Sequence, residues 1–339
     1  MKILAYAYYN SAVSYHRIIA PLMNMPNDVE VKIENQFNEE DYNGIDLLVY
    51  NRQLPEPVME KVNELREKYG FKICVDIDDY WELDPHHILY QHYIDTGFAE
   101  KQIWHLKNAD FITCTHDRLA ELITSINKNV YILPNAILKQ GQFDIERIAS
   151  PFTRLFWQGT VTHEQDIELL RRPIEALKPI AGKIKMVLAG FEDDTVEKEN
   201  TWDRMIGAYT SEGKHQYKLF PGSHVAEYYK AYAEADVCLI PLLNSPFNRN
   251  KSNLKVLEAA NLGLPVICSH VHPYLDLPVF YAKNSTDWVT HINRLASSRK
   301  RQKEAGLKLQ EFVNENFNFQ KINKERKQIF EYSIKTIEA

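Results

Sequence analysis

Residues 235–270 read ADVCLIPLLNSPFNRNKSNLKVLEAANLGLPVICSH and spell out one strand-loop-helix-strand unit. Val237-Cys238-Leu239-Ile240 is an unbroken apolar run, as in a parallel strand covered on both faces. A polar loop from Asn244 to Lys251 follows. Ser252 stands at the N-cap position of a helix in which Leu254, Leu257 and Ala260 share one face. Gly263 takes the left-handed C-cap position, Pro265 marks the helix as finished, and Val266-Ile267-Cys268 is the next strand. The chain is therefore α/β, and the loop leaves the carboxyl end of a strand, where open α/β sheets bind ligands. Arg249, Lys251 and Lys255 beside a helix N-terminus suit phosphate oxygens. An ordinary crossover with a solvated basic loop is the plainer reading of the same residues.

Upstream, the strand Arg154 to Trp157 runs into Gln158-Gly159-Thr160. Thr162-x-x-Gln165 has capping-box spacing, with Ile167, Leu170, Ile174 and Leu177 as the apolar face behind it. Gly159 permits close backbone approach, and the helix start offers amides to a diphosphate. His163 is placed either to touch that group or to serve the packing. Lys185 to Ala189, ended by Gly190, reads as a further strand, and Ser223 as the cap of a helix carrying Tyr228, Tyr229 and Tyr232.

The first half repeats the alternation, with strands at Lys2–Tyr8, Val29–Ile33, Asp46–Tyr50, Phe71–Val75 and Ala109–Thr115. Ser14 is placed to cap a helix starting at Tyr15, and a second helix between Pro55 and Gly70 aligns Val58, Val62, Leu65 and Tyr69. One strand ends in Asp76-Ile77-Asp78-Asp79-Tyr80-Trp81-Glu82. Like charges this close raise one another's pKa, which tunes a general base. The alternative is acids that cap a helix or pair with Arg or Lys. The D-x-D spacing also permits a divalent metal, but strand-end Asp pairs are common and the rest of the chain does not point to one.

The 339 residues are 45% hydrophobic and 25% charged, enough for two globular domains. Forty basic against forty-six acidic side chains give a net charge of -6, which does not advertise a nucleic-acid partner. Cys74, Cys114, Cys238 and Cys268 each lie in an apolar run without C-x-x-C spacing, so buried thiols in a reducing compartment are expected. With no signal-peptide core and no run near the ~20 apolar residues of a spanning helix, the expected location is cytoplasmic. Peripheral contact with a membrane is left open.

Leu257-Glu258-Ala259-Ala260-Asn261-Leu262-Gly263-Leu264-Pro265-Val266-Ile267 matches the second half of the pattern E-x-F-G-x-x-x-x-E-A-M-A-x-G-x-P-V-I-A, with Asn250 in place of its first acid. Val130-Tyr131-Ile132-Leu133-Pro134-Asn135 is similar to V-x-x-I-P-N-G, with Ala136 for the glycine. On these segments the chain resembles GT-B-fold glycosyltransferases of the glycogen-synthase-like, family-4-like group. The resemblance implies two Rossmann-like domains facing across a cleft, one over residues 1–150 for the acceptor and one over 151–318 for a nucleotide sugar. Residues 319–339 would form a helix crossing back onto the first domain. It further implies transfer from a nucleotide-diphospho-sugar, UDP-sugar favoured, to a hydroxyl acceptor, without a metal or other cofactor. Relatives commonly carry an Arg just after the glycine and a Lys one turn later. Thr160 and Gln165 stand here instead, which leaves Arg249, Lys251 and Lys255 to meet the diphosphate alongside the Ser252 helix start. Glu258 would hold the ribose hydroxyls. Where relatives carry a histidine at the matching strand end, Asp78 or Asp79 would orient or deprotonate the acceptor hydroxyl, with His16, Tyr80 and Trp81 lining its site. The acceptor is expected to be a glycan or glycoconjugate. The alternatives are a hydroxymethylpyrimidine base in DNA, as for some phage GT-B enzymes, and a catalytically inactive GT-B domain that only binds.

Overall fold

The computed structural model describes residues 1–192 and 196–336; residues 337–339 of the expected terminal helix lie outside them. Six runs of the first half pair in parallel in the order Glu30–Glu34 (β2), Lys2–Tyr6 (β1), Leu47–Asn51 (β3), Lys72–Ile77 (β4), Phe111–Cys114 (β5) and Val130–Ile132 (β6). Six of the second half do the same in the order Phe280–Ala282 (β12), Val266–Ser269 (β11), Val237–Ile240 (β10), Thr153–Gln158 (β7), Ile184–Phe191 (β8) and Tyr217–Pro221 (β9). Every residue of β10 and β11 is buried, as unbroken apolar strands under helices on both faces require. In each sheet the strand order reverses once, between β1 and β3 and between β7 and β10. Each reversal opens a crevice at the carboxyl ends of the strands, and the two domains meet across these crevices.

The helices follow the apolar spacing. Glu56–Tyr69 buries Val58, Val62 and Leu65, and Gly70 closes it at φ 77°. Leu254–Asn261 buries Leu257 and Ala260, with Gly263 beyond it at φ 61°. The Phe319–Thr336 helix returns to the first sheet. Phe330 sits in its core against Phe111, 5.8 Å between ring centroids, and Asn323 Nδ2 donates to the carbonyls of Pro21 (2.9 Å) and Asn24 (3.0 Å). Among the described residues no helix is long and apolar enough to cross a membrane.

Four local expectations are corrected. Ser11, which is extended, caps the first helix by accepting from Ser14 N (3.2 Å); Ser14 is already helical. Ser252 caps nothing, because its Oγ accepts from Asn135 of the first domain (2.9 Å) and Asn253 takes the N-cap position. The Thr162–Gln165 box does not form, since residues 161–163 make a 3₁₀ turn and Gln165 Nε2 reaches the carbonyl of His86 (2.6 Å). Ser223 is likewise no cap, because a short 3₁₀ turn starts only at Tyr228. In addition, β8 continues through Gly190 with an irregular register between Ala189 and Phe191 instead of ending there.

Candidate active site

The second crevice begins where β7 meets Gly159. A Cβ there would come within 2.7 Å of the Trp157 ring and 3.1 Å of His163 Cδ2, and a Cβ on Gly190 would meet the Gly159 carbonyl at 2.0 Å. Glycine is the residue that fits. Gly159→Ala is therefore expected to cost about 1–3 kcal/mol by overpacking, read as a lower urea midpoint; an unchanged midpoint would show that Trp157 has room to move.

Behind Gly159, His163 Nδ1 lies 2.7 Å from Asp166 Oδ2, and its Nε2 lies 3.2 Å from Lys255 Nζ. An ammonium only donates, so Nε2 accepts, and the ring proton sits on Nδ1 and is donated to Asp166. Burial, with Lys255 beside it, pushes the His163 pKa down to about 4 and keeps the ring neutral. Burial works against the Asp166 charge, but the bond from His163 holds that carboxyl below its usual range. Asp166 Oδ1 also accepts from Leu243 N (2.8 Å) and Asn248 Nδ2 (3.1 Å), so one carboxylate ties the loop after β10 to the turn after β7.

Lys255 lies in the first turn of the Leu254–Asn261 helix. Its Nζ is 5.8 Å from the Trp157 ring centroid, and among the described residues no carboxylate comes within ion-pair distance of it. Burial, reinforced by neighbouring Lys251, pushes its pKa down to about 8. Lys251 Nζ lies 4.4 Å from the Phe247 ring centroid and 4.0 Å from Asp79 Oδ2 across the cleft. Arg249 stands apart from this cluster. Its guanidinium turns back to Asn244 Oδ1 (3.5 Å), and its carbonyl accepts from His272 (2.7 Å). Thr160 is exposed, with its hydroxyl 2.8 Å from that of Thr162.

Glu258, one helical turn beyond Lys255, is buried. Tyr228 OH donates to its Oε1 and Tyr232 OH to its Oε2 (2.8 Å), and burial raises its pKa. Tyr228 OH also lies 2.9 Å from His16 Nε2 of the first domain, whose pKa burial lowers to about 3. The contact is therefore a neutral hydrogen-bond network joining the domains. This corrects the acceptor trio: His16 is enclosed against Glu258, and Trp81, 5% exposed, is part of the first domain's core. Tyr80 stacks obliquely on Trp81, with centroids 5.0 Å apart, and remains half-buried.

The three strand-end carboxylates divide. Asp76 is fully buried, held by Arg17 in two bonds (2.9 and 2.7 Å) and by Thr113 (2.6 Å), and is structural. Asp78 takes a bidentate bond from Arg52, Nε to Oδ1 (2.8 Å) and Nη2 to Oδ2 (2.9 Å). Burial opposes its charge, yet Arg52 keeps its pKa below the usual value. Asp79 Oδ2 accepts from Arg52 Nη2 (2.9 Å), while its Oδ1 takes no hydrogen bond from the described residues; burial raises its pKa. Arg52 sits at φ 61°, a left-handed conformation costly for a residue with a Cβ.

Space is unevenly distributed. A cavity of about 390 Å³ lies between the domains, walled by His87, Thr162, Asp166, Phe247, Asn248 and Lys251. Only about 10 Å³ is open at the β7/β10 crevice itself, among Trp157, Gln158, Tyr232 and Lys255. Ligand atoms of His116, Asp117 and His272 fall within 4.8 Å of one another. His116 is already committed, however: its Nε2 meets the Asn250 carbonyl (3.1 Å) and its Nδ1 accepts from Leu119 N (3.2 Å).

Sequence reasoning passed over Asp166, Arg52, Tyr228 and Tyr232. The spacing His163-x-x-Asp166 on one helical turn was a usable signal for the first. Arg52 had none, since it reaches Asp78 only through the β3–β4 register, which sets Asn51 opposite Asp76.

Residues 153–298 match the family model described as Glycosyl transferases group 1. No curated protein matches the chain. Among solved structures, TarM of S. aureus, as a complex with Fondaparinux, alpha-GlcNAc-glycerol and UDP, is similar at TM-score 0.61 and 13% identity, covering 84% of this chain and 55% of its own. The UDP-forming trehalose-phosphate synthase of Burkholderia xenovorans is similar at 0.65 and 10%, covering 99% of both chains. The pneumococcal O-GlcNAc transferase GtfA, with UDP and GlcNAc, is similar at 0.53 and 17%, covering 85% of this chain and 57% of its own. This chain thus spans about half the length of TarM and of GtfA. At these identities the likeness is one of fold.

Proposed function

We infer that this chain, a glycosyltransferase of the GT-B fold whose residues 153–298 belong to the glycosyl transferases group 1 family, moves a sugar from a nucleotide-diphospho-sugar to a hydroxyl acceptor, and does so without a metal ion. One observation carries the donor half: Lys255 is a half-enclosed ammonium with no carboxylate partner, at a helix start on the crevice where the strand order reverses. Such a charge is unfavourable until an anion arrives. Leaving-group oxygens are the anions that helix amides and two lysines would meet, and they gain charge as the glycosidic bond breaks. His163, positioned by Asp166, aims the Lys255 ammonium. Gly159 lets the donor approach the backbone. Glu258 receives the ribose hydroxyls once Tyr228 gives way, and this exchange opens the crevice that is now nearly closed. UDP is the favoured carrier, because the similar structures hold or form it.

On the acceptor side Asp79 is the proposed base: its pKa is raised, one oxygen is unengaged, and it faces Lys251. Asp78 instead positions Arg52. Thr160, Arg249 and Ser252 take secondary places in this reading.

The test is a thermal-shift panel of UDP, UMP, GDP, ADP and their sugars at pH 7 and 9. A ligand that prefers the folded state raises the midpoint, so UDP is expected to stabilise more than UMP. The lysine charge is present below about pH 8 and lost above it, so UDP binding should weaken toward a limit of about tenfold per pH unit beyond that point. Equal stabilisation by UMP, or binding indifferent to pH, would remove Lys255 from the donor site.

A further inference from the structure

The first domain has its own crevice, and its chemistry selects among acceptors. A cavity of about 310 Å³ opens at the β1/β3 reversal, lined by residues including Tyr6, Tyr8, Ser14, Asn51, Gln53 and Phe98. Arg52 is the only Lys, Arg or His among its lining residues. That guanidinium is already spent on Asp78 and Asp79 at 2.8, 2.9 and 2.9 Å. With Asp79 ionised, the three groups together carry one negative charge; with Asp79 protonated, they carry none. In neither state is there a positive charge to offer. The helix start on this wall offers no anion site either, because Ser14 N donates to Ser11 Oγ (3.2 Å) and Tyr15 N to the Ser11 carbonyl (2.9 Å).

We propose that this cavity seats an uncharged, hydroxyl-rich acceptor such as a glycan unit, and that Arg52, neutralised by its two carboxylates, makes phosphate-bearing acceptors unwelcome. The proposal rests on the transferase reading above. Hydroxyls donate and accept, which suits a wall carrying carboxylate oxygens, the Asn51 amide and the Gln53 amide, whose Nε2 is already given to the Phe98 carbonyl (2.9 Å). Tyr8 and Phe98 add ring faces of the kind that pack against sugars. Asp79 forms the boundary with the donor side, since Lys251 stands 4.0 Å beyond it. An acceptor hydroxyl at the inner end of the cavity would thus meet the free Asp79 oxygen.

The experiment measures UDP release from a panel of UDP-sugars by the full chain, alone and with three additions: methyl hexopyranosides and neutral disaccharides, the corresponding hexose 6-phosphates, and duplex DNA containing hydroxymethylpyrimidine. Like charges set together cost enough for neutral glycosides to exceed the phosphates by about 100-fold or more in kcat/KM. Gln53→Arg, which places a cation on the cavity wall outside the Arg52 group, is expected to narrow that ratio at unchanged acceptor-free UDP release. Equal or greater stimulation by hexose phosphates or by the DNA overturns the proposal, as does UDP release that no neutral glycoside stimulates. Absence of both UDP release and UDP binding would strike the donor reading instead, and the two failures are separable.

Discussion

Lys255→Ala lowers turnover by about two to three orders of magnitude, the usual loss when one preorganised donor to a developing negative charge is removed. The size of the effect follows from the absence of a substitute. Arg249 points back along its own loop, Thr160 carries no charge, and Lys251 is drawn toward Phe247 and Asp79. A second measurement distinguishes this role from a structural one. The Lys255 pKa is about 8 in the fold against an ordinary 10.5, so between those values the unfolded chain binds the extra proton. Stability therefore rises with pH across that window, and the charged lysine is a burden on the apo fold below it. Lys255→Met, which keeps the stem against Trp157, should leave the unfolding midpoint at pH 7 unchanged or higher while transfer collapses. A variant that lost stability and activity together would make Lys255 a packing residue, and the diphosphate would need another partner.

The donor half was legible because its signals are local. Gly159, Lys255, Glu258 and Gly263 lie within two short strand-to-helix turns whose spacing dictates geometry, and the structure places them at one crevice. Side-chain caps were misread because Ser252 and Gln165 found partners across the domain boundary, in Asn135 and the His86 carbonyl, beyond the reach of local spacing. The acidic triplet was visible as a feature, yet its division was not. Asp76, Asp78 and Asp79 differ only in which arginine reaches them, and Arg17 and Arg52 arrive from 59 and 26 residues away. The acceptor residues fared worst. Aromatics after a strand end look equally suited to a core and to a cleft, and Trp81 took the core.

That division makes the pair Asp78 and Asp79 the sharpest test of the acceptor half. Asp79→Asn should reduce transfer by about 10²–10⁴-fold, the range for removing a general base, while UDP binding persists because no donor-side bond depends on Asp79; Lys251 stands 4.0 Å away and keeps its stacking on Phe247. Asp78→Asn acts differently. It removes the bidentate partner that holds Arg52 at φ 61°, so it should lower the unfolding midpoint as well as the rate. The wild-type pH profile adds an independent check. Asp79 must be ionised to accept a proton, and burial raises its pKa, so the rate should climb with pH through that raised value and fall again as Lys255 loses its charge near 8. In Asp79→Asn the ascending limb should vanish and the descending one remain. If both limbs survive in that variant, the acceptor proton leaves by another route. If Asp78→Asn alone erases the ascending limb, the roles of the two carboxylates are exchanged, and Arg52 positions the base by gripping it.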